Sequence, residues 1–136
     1  TFQYGLPKQF RDEVRTASLI AIPGCFATAI QLGLLPLASL GLLGDVFTTG
    51  ITGSTGAGQK LQDTTHFSWR SENISAYKTL DHQHLKEIKR TFATVQKNYS
   101  GEIHFIPWRG NFTRGIFVTS TLSTTKSLEE LKDIFK

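Results

Sequence analysis

The sequence contains no methionine, one cysteine and four prolines. A single cysteine excludes an internal disulfide framework and is typical of a reducing compartment, so we expect a cytoplasmic protein. No apolar run approaches the roughly 20 residues that cross a bilayer, and no signal-peptide layout is present, so we expect no membrane contact. The lack of methionine and a start inside the motif-like stretch Thr1–Pro7 predict a piece excised from a longer protein.

An excess of charge of one sign is also missing. The 136 residues include 15 Lys and Arg against 11 Asp and Glu, for a net charge of +4. The basic residues are scattered, apart from Lys86, Lys89 and Arg90, which we interpret as a solvated helix face. We therefore expect no nucleic-acid partner. The hydrophobic fraction of 39% is ordinary for one globular domain with its own core.

Periodicity predicts helices that alternate with strands. The predicted helices are Lys8–Thr16, Cys25–Leu40, His82–Asn98 and Leu128–Lys136, and the predicted strands are Ser18–Ile22, Asp45–Thr52, Glu102–Pro107 and Thr113–Leu122. We expect Ser18–Ile22 to be buried, Asp81 and Ser127 to be N-caps, and Trp108–Phe117 to be a hairpin. The interleaving predicts an α/β or α+β class around one mixed sheet.

The only cysteine follows a predicted turn. Pro23 and Gly24 end the apolar run, and a helix then begins at Cys25. The helix dipole and the unpaired N–H groups of a first turn favour a thiolate and can hold an oxyanion. Two interpretations stay open: Cys25 is a small buried hydrophobe, or it is a nucleophile.

Two histidines open a later helix. His82 and His84 are two residues apart, which does not match the i, i+4 pair of a helical metal site, so we expect no metal. Either both face solvent, or one is the acid/base partner of Cys25.

Two further stretches have a composition that suits anions. Gly53–Lys60 is rich in glycine but matches neither the P-loop nor the G-x-G-x-x-G fingerprint, so it is either a flexible connection or an anion contact. Arg109 and Arg114 lie in an aromatic-rich segment. They are either ordinary surface residues or a bidentate grip on a carboxylate or phosphate.

Six short motifs span nearly the whole chain: Tyr4–Pro7, Leu19–Cys25, Gly53–Gly58, Asn73–Tyr77, His82–Ile88 and Thr113–Ile116. In combination and in this order, they resemble the N-acetyl-gamma-glutamyl-phosphate reductases of arginine biosynthesis.

The resemblance implies a two-domain enzyme similar to aspartate-semialdehyde dehydrogenase. In such enzymes a Rossmann domain binds NADP(H), and a second α/β domain, with a mixed, mostly antiparallel sheet packed with helices, carries catalysis and oligomer contacts. The present chain, residues 1–136, resembles the second domain alone. We therefore expect the NADP-binding domain to lie outside this chain, and the protein to be a homo-oligomer, either a dimer or a tetramer.

The resemblance also implies a reaction. The Cys25 thiolate would attack N-acetyl-glutamyl 5-phosphate, expel phosphate and leave a thioester. NADPH would then reduce the thioester to the semialdehyde. His82 would be the acid/base, with His84 as the alternative.

Further roles follow by motif position. Arg114 would hold the substrate's carboxylate or phosphate, and Arg109 is a weaker candidate. The resemblance implies a substrate pocket that includes Gln31, Thr55 and Tyr77, and a cofactor contact at Gly56, Ala57 and Gly58.

The sequence departs from the family pattern at three places. Ile22 replaces the usual Asn before Pro-Gly-Cys, Phe26 and Ala27 replace Tyr and Pro after it, and Gln83 replaces the Arg between the histidines. Three alternatives remain open: a related acyl-phosphate reductase such as aspartate-semialdehyde dehydrogenase, a thiol hydrolase, and a non-enzymatic oligomerisation domain.

Overall fold

The structure is a computed structural model that describes residues 1–136. Its helices are α1 Arg11–Thr16, α2 Cys25–Ser39, α3 Phe67–Arg70, α4 His84–Val95 and α5 Leu128–Ile134. Its strands are β1 Gln3–Tyr4, β2 Ile20–Ala21, β3 Val46–Thr52, β4 Ser75–Ala76, β5 Ile103–Arg109 and β6 Ile116–Leu122. Among these helices, none has the length and apolarity that a membrane crossing requires.

A four-stranded sheet carries the fold, in the order β4-β5-β3-β6. Strand β3 is parallel to β5, with Val46 opposite Ile103, and antiparallel to β6, with Val46 opposite Leu122. Strand β4 adds an antiparallel edge to β5. Two of the three pairings are therefore antiparallel, and the predicted mixed sheet packed with helices is confirmed.

The predicted hairpin at Trp108–Phe117 is wrong, because β3 lies between β5 and β6. The connection between those strands instead passes the end of β3 and bonds to it. The Gly110 N–H donates to the Thr52 carbonyl (2.9 Å), and the Gly53 N–H donates to the Gly115 carbonyl (2.9 Å).

The predicted buried strand at Ser18–Ile22 is also wrong. Only Ile20 and Ala21 are extended, and they pair with β1 in a separate two-stranded ladder. Ile22 is 89% exposed. Since this short pair has no place in the main sheet, its apolar side chains have no second layer to cover them.

Helix α2 forms the centre of the core. Its predicted apolar stripe, with Phe26 and Ile30, packs on α4 and on the sheet, where Ile88, Phe92 and Phe105 are fully buried. Burial of side chains of this size stabilises the fold by about 1.5–3 kcal/mol each. This packing of α2 anchors Cys25, the first residue of the helix, to the core.

The helix boundaries differ from the prediction in detail. Helix α4 begins at His84, and its N-cap is Gln83, which makes no side-chain cap, rather than Asp81. Helix α1 begins at Arg11 rather than Lys8. The predicted cap at Ser127 is confirmed, because its hydroxyl accepts from the Glu130 N–H while Glu130 reaches back to the Ser127 N–H, in a capping box.

The sheet has one face that no helix of this chain covers. Side chains alternate along each strand, so one set faces α2 and α4 and the other faces away. We call the second set the open face, and its large apolar members are Phe47, Ile51, Ile106, Trp108 and Phe117. Phe117 is 69% exposed.

Candidate active site

A cavity of about 390 Å³ lies where the parallel strands β3 and β5 end. We call it the Cys25 cavity. Its lining residues are Cys25, Phe26, Thr52, Gly56, Ala57, Gln62, Thr64, Tyr77, Lys78, His82, Gln83, His84 and Arg109. The fold therefore brings both predicted histidines, one predicted arginine and the cysteine to a single concave site.

Cys25 sits on the first turn of α2 and is exposed. Gly24 before it is extended (φ −64°, ψ 152°), and its carbonyl accepts the Thr28 N–H at 2.8 Å. This is the first intrahelical hydrogen bond, so the N–H groups of residues 25–27 have no partner within the helix. Phe26 is buried and fixes the turn to the core. The interpretation of Cys25 as a small buried hydrophobe is therefore wrong, because the residue is exposed.

His82 is enclosed by rings and only 4% exposed. It lies edge-on to Phe26, Tyr77 and Phe105, at centroid distances of 5.8, 5.7 and 5.5 Å. Burial, with the nearby His84 and Lys78 as lesser causes, lowers the pKa of His82 to about 4. The ring is therefore neutral at pH 7.

His84 lies against the turn that precedes the cysteine. A Cβ built on Gly24 would overlap the His84 imidazole. Burial lowers the pKa of His84 as well, and the Glu87 carboxylate opposes that shift. The two histidine rings are 4.5 Å apart, and His82 Nδ1 accepts the backbone N–H of His84 at 3.3 Å. That bond leaves the proton of neutral His82 on Nε2.

Two cations line the cavity. The Arg109 guanidinium lies 4.7 Å above the Tyr77 ring, and its Nη1 donates to Thr64 Oγ1 at 3.4 Å. Its Nε is buried and has no partner. Lys78 donates to Gln83 Oε1 at 2.8 Å. Since no carboxylate is among the lining residues, the cavity favours anions.

Tyr77 lies close enough to both Arg109 and Cys25 for their charges to affect its pKa. Burial raises the pKa of Tyr77, the Arg109 charge opposes that shift, and the Cys25 thiolate adds to it. The hydroxyl therefore stays protonated at neutral pH and is a hydrogen-bond donor inside the cavity.

Four predicted site residues are not among those that line the cavity: Gln31, Thr55, Gly58 and Arg114. As a correction, Gln31 is fully buried, and its amide donates to Tyr4 and to the Ala27 carbonyl, so no surface is left for a substrate. Arg114 is exposed on the connection between β5 and β6. The Thr55 hydroxyl is already used by the Thr113 carbonyl at 2.6 Å.

Sequence reasoning missed several lining residues. Lys78 adjoins the motif residue Tyr77, and Gln83 separates the two histidines. Their positions next to motif residues could have identified both as lining residues. Gln62, Thr64 and Thr52 carry no such signal. Lys78 has a left-handed backbone (φ 45°), an unusual conformation for a side-chain-bearing residue that often occurs at functional sites.

Comparison with curated proteins gives strong similarity along the whole chain. A protein of Bacteroides thetaiotaomicron named N-acetyl-gamma-glutamyl-phosphate reductase is 54% identical, over 99% of this chain and 42% of its own length. A protein of the same name from Christiangramia forsetii is 49% identical, with the same coverage. The chain thus spans less than half the length of the curated relatives it matches.

Comparison with solved structures supports the fold. Aspartate semialdehyde dehydrogenase II of Vibrio cholerae, in a crystal structure with ASA, superposes with a TM-score of 0.69 at 13% identity. The match covers 98% of this chain and 48% of that one. At this identity the likeness is one of fold.

A family model agrees with both comparisons. The model described as "Semialdehyde dehydrogenase, dimerisation domain" matches residues 25–136, which begin at Cys25 and include every cavity-lining residue. The resemblance that the motifs predicted is confirmed. The chain therefore belongs to the semialdehyde dehydrogenase dimerisation-domain family.

Proposed function

We propose that this chain is the cysteine-bearing domain of an NADPH-dependent enzyme that reduces N-acetyl-glutamyl 5-phosphate to its semialdehyde. The observation that carries the proposal is the convergence of Cys25, His82, His84 and Arg109 on one cavity at the start of α2. The names of the relatives support this choice of reaction over other thiol chemistry. A reducing compartment such as the cytoplasm keeps the single thiol free.

Cys25 is the nucleophile in this reaction. Its sulfur attacks the acyl carbon, the C–O bond to phosphate breaks, and the phosphate leaves with the bonding electron pair, so a thioester forms. The N–H groups of residues 25–27 have no partner within α2, so they are available to the carbonyl oxygen as it gains negative charge. They stabilise that oxyanion without reorganisation.

The His82–His84 pair moves the proton. Both rings line the cavity, and burial lowers the pKa of each, so both are neutral at pH 7. His82 Nδ1 already accepts the His84 N–H and its Nε2 carries the proton, so His84 is the ring that accepts the thiol proton. The same proton returns to the Cys25 sulfur when the tetrahedral oxyanion left by hydride addition collapses to the aldehyde and the C–S bond breaks. His84 lies against Gly24, next to the nucleophile, and His82 supports it through its Nδ1 hydrogen bond.

Arg109 and Lys78 hold the anionic groups of the substrate. Arg109 has a buried, unpartnered Nε inside the cavity, and that donor is available to a phosphate or carboxylate oxygen. The structure favours Arg109 over Arg114 for this role, because Arg114 does not line the cavity.

NADPH would supply the hydride, and the residues predicted to contact it lie at or beside the Cys25 cavity. Gly56 and Ala57 line the cavity, and Gly58 (φ 79°) has open space where a side chain would project. These residues offer backbone to a nicotinamide ring but no dinucleotide fingerprint. We therefore assign the main cofactor site to a domain outside this chain and expect the isolated 136-residue chain to be inactive.

The proposed function is tested in the reverse direction on the full-length protein. Phosphate-dependent reduction of NADP⁺ is measured with N-acetyl-glutamate semialdehyde and, in parallel, with aspartate semialdehyde. We expect turnover with the first and little with the second. Preference for aspartate semialdehyde would assign the neighbouring reaction, and ester hydrolysis without a nicotinamide would assign a thiol hydrolase.

Arg109→Gln is expected to raise the KM for the acyl phosphate by roughly 10- to 100-fold, the worth of one charged hydrogen bond. Steady-state kinetics of the full-length variant measure this. Arg114→Gln tests the alternative assignment, and we expect it to change the KM by less than about 2-fold because Arg114 is exposed. Arg11→Gln on α1 is the neutral control. A larger KM effect at Arg114 than at Arg109 would reverse the assignment.

We further propose that the open face of the sheet is where two copies of the protein meet. The family model that matches this chain is described as a dimerisation domain. The open face offers aromatic side chains that no helix covers, and the Phe47 and His104 rings stack there at 4.7 Å. Aromatic-rich apolar surface of this kind is typical of protein interfaces.

Phe117→Glu on the open face is expected to convert the oligomer to a smaller species, because a carboxylate buried at an interface has no partner. The measurement is the molar mass of the full-length variant by light scattering during gel filtration. Leu128→Glu on α5 is the matched control, since Leu128 is 66% exposed and Phe117 is 69% exposed. An unchanged mass for Phe117→Glu, with normal folding, would place the interface elsewhere.

A further inference from the structure

The turn before Cys25 is held from both sides. The Gly24 carbonyl accepts the N–H and the hydroxyl of Thr28, at 2.8 and 3.1 Å. The Gly24 N–H donates to both carboxylate oxygens of Glu87, at 3.2 and 3.3 Å. Glu87 belongs to α4, one turn beyond His84. One carboxylate therefore bonds the backbone beside the nucleophile and lies on the same helix as the adjoining histidine.

A partly buried chain of hydrogen bonds, which we call the relay, holds that carboxylate. The Tyr4 hydroxyl donates to Glu87 Oε2 at 2.7 Å, and Gln31 Nε2 donates to the Tyr4 oxygen at 2.8 Å. Gln31 Nε2 also donates to the Ala27 carbonyl at 2.9 Å. Amide and peptide N–H groups only donate and a carboxylate only accepts, so the direction of every bond is set: amide to hydroxyl, hydroxyl to carboxylate, peptide to carboxylate.

The relay includes a buried amide oxygen that has no hydrogen-bond partner, which is energetically unfavourable. Gln31 is fully buried, and its Oε1 has no hydrogen-bond partner. An apolar side chain would avoid that unpaired acceptor, so packing alone does not explain an amide here. Burial and the Glu87 charge raise the pKa of Tyr4 to about 12, with the Gln31 hydrogen bond opposing them, so Tyr4 remains a donor throughout the physiological range.

We propose that Glu87 is a positioning residue for Cys25, and that Tyr4 and Gln31 position Glu87. Glu87 fixes the Pro23–Gly24–Cys25 turn through the Gly24 N–H. It also places a negative charge beside His84 and beside the residue next to Cys25. The role in turnover rests on the proposed reductase function, whereas the effect on the thiol does not.

The charged groups around Cys25 determine how the ionisation of its thiol responds to changes in the relay. The titratable residues that line the cavity with Cys25 come from three parts of the chain. They are Tyr77, Lys78 and His82 between β4 and α4, His84 at the start of α4, and Arg109 at the end of β5. None is a carboxylate, so Glu87 supplies the negative charge beside the turn, and the Tyr4 hydroxyl partly neutralises it. Removing the charge and removing its neutralising donor must therefore shift the ionisation of the thiol in opposite directions.

The test uses the full-length protein and alkylation of Cys25 by iodoacetamide as a function of pH, read by mass spectrometry of the Cys25 peptide. Glu87→Gln is expected to lower the pH midpoint of alkylation by about 0.5, and Tyr4→Phe to raise it by a similar amount. Glu102→Gln is the matched control, because Glu102 forms an exposed ion pair with Lys89 (2.6 Å) and faces no part of the relay.

Turnover supplies the second readout. Glu87→Gln is expected to lower kcat about 10-fold with KM changed by less than about 2-fold, because misplacement of the nucleophile affects the chemical step. The double variant with Tyr4→Phe is expected to be no worse than Glu87→Gln, since the two residues act in series. If Glu87→Gln does not fold, Tyr4→Phe alone carries both readouts.

The outcomes are distinguishable. Unchanged midpoints in folded variants, or shifts of the same sign, overturn the positioning role even if the reductase reaction is found. Opposite shifts without any reductase turnover support the positioning of Cys25 and overturn the proposed reaction. Additive losses of kcat in the double variant contradict the series arrangement of Tyr4 and Glu87.

Discussion

Cys25→Ser in the full-length protein is expected to abolish reduction of the acyl phosphate, with kcat lowered by at least about 10³-fold. A serine hydroxyl at neutral pH is a far weaker nucleophile than a thiolate, and its ester is a poorer hydride acceptor than a thioester. Cys25 is exposed on the first turn of α2. It is the only cysteine of the chain, so the cavity contains no other thiol. Steady-state NADPH oxidation measures the loss.

Trapping of the intermediate gives an independent check. With substrate and without NADPH, the wild-type protein is expected to carry an acyl group on Cys25 that hydroxylamine removes, and the variant is expected to carry none. Cys25→Ala controls for residual reactivity of the serine. Retention of more than about a tenth of the wild-type kcat by both variants would remove Cys25 from the mechanism.

Gly24→Ala is expected to lower kcat by about 10²-fold and the free energy of unfolding by about 1–3 kcal/mol. The added Cβ overlaps the His84 imidazole, which lies directly against Gly24. The ring must move away from the nucleophile, or the turn must move away from the ring. Kinetics and urea denaturation of the full-length variant measure the two effects.

Gly33→Ala is the matched control on the same helix. A Cβ at Gly33 meets no heavy atom within 4 Å, so the change is expected to stabilise α2 by up to about 1 kcal/mol and to leave kcat unchanged. A second background separates the causes: in His84→Ala, the stability cost of Gly24→Ala is expected to disappear. If the cost persists there, the overlap with His84 is not its origin.

The parts of the site that are local in sequence were predictable. The Pro23-Gly24 turn and the apolar stripe after it specified where α2 begins, and Ser127 with Glu130 specified the last cap. The helix predicted from His82 was placed two residues too early, because it begins at His84.

The parts that depend on distant pairing were not predictable. The segments on either side of Gly110–Gly115 look like a hairpin because they are adjacent in sequence, but β3 has the register to pair with both. That insertion places Arg109 in the cavity and leaves Arg114 outside it. Gln31 shares the helix of Cys25, yet helical rotation turns it into the core, toward Tyr4.

During synthesis, β3 leaves the ribosome before either of its neighbours in the sheet exists, because both β5 and β6 follow it in the chain. Cys25 emerges before β3, whereas Arg109, the last of the cavity-lining residues in the sequence, emerges only with the end of β5. Long-range strand pairing of this kind closes late in folding. The nascent chain therefore carries its thiol without the histidines and the arginine around it, and the reactive cavity is assembled only after β5 docks on β3.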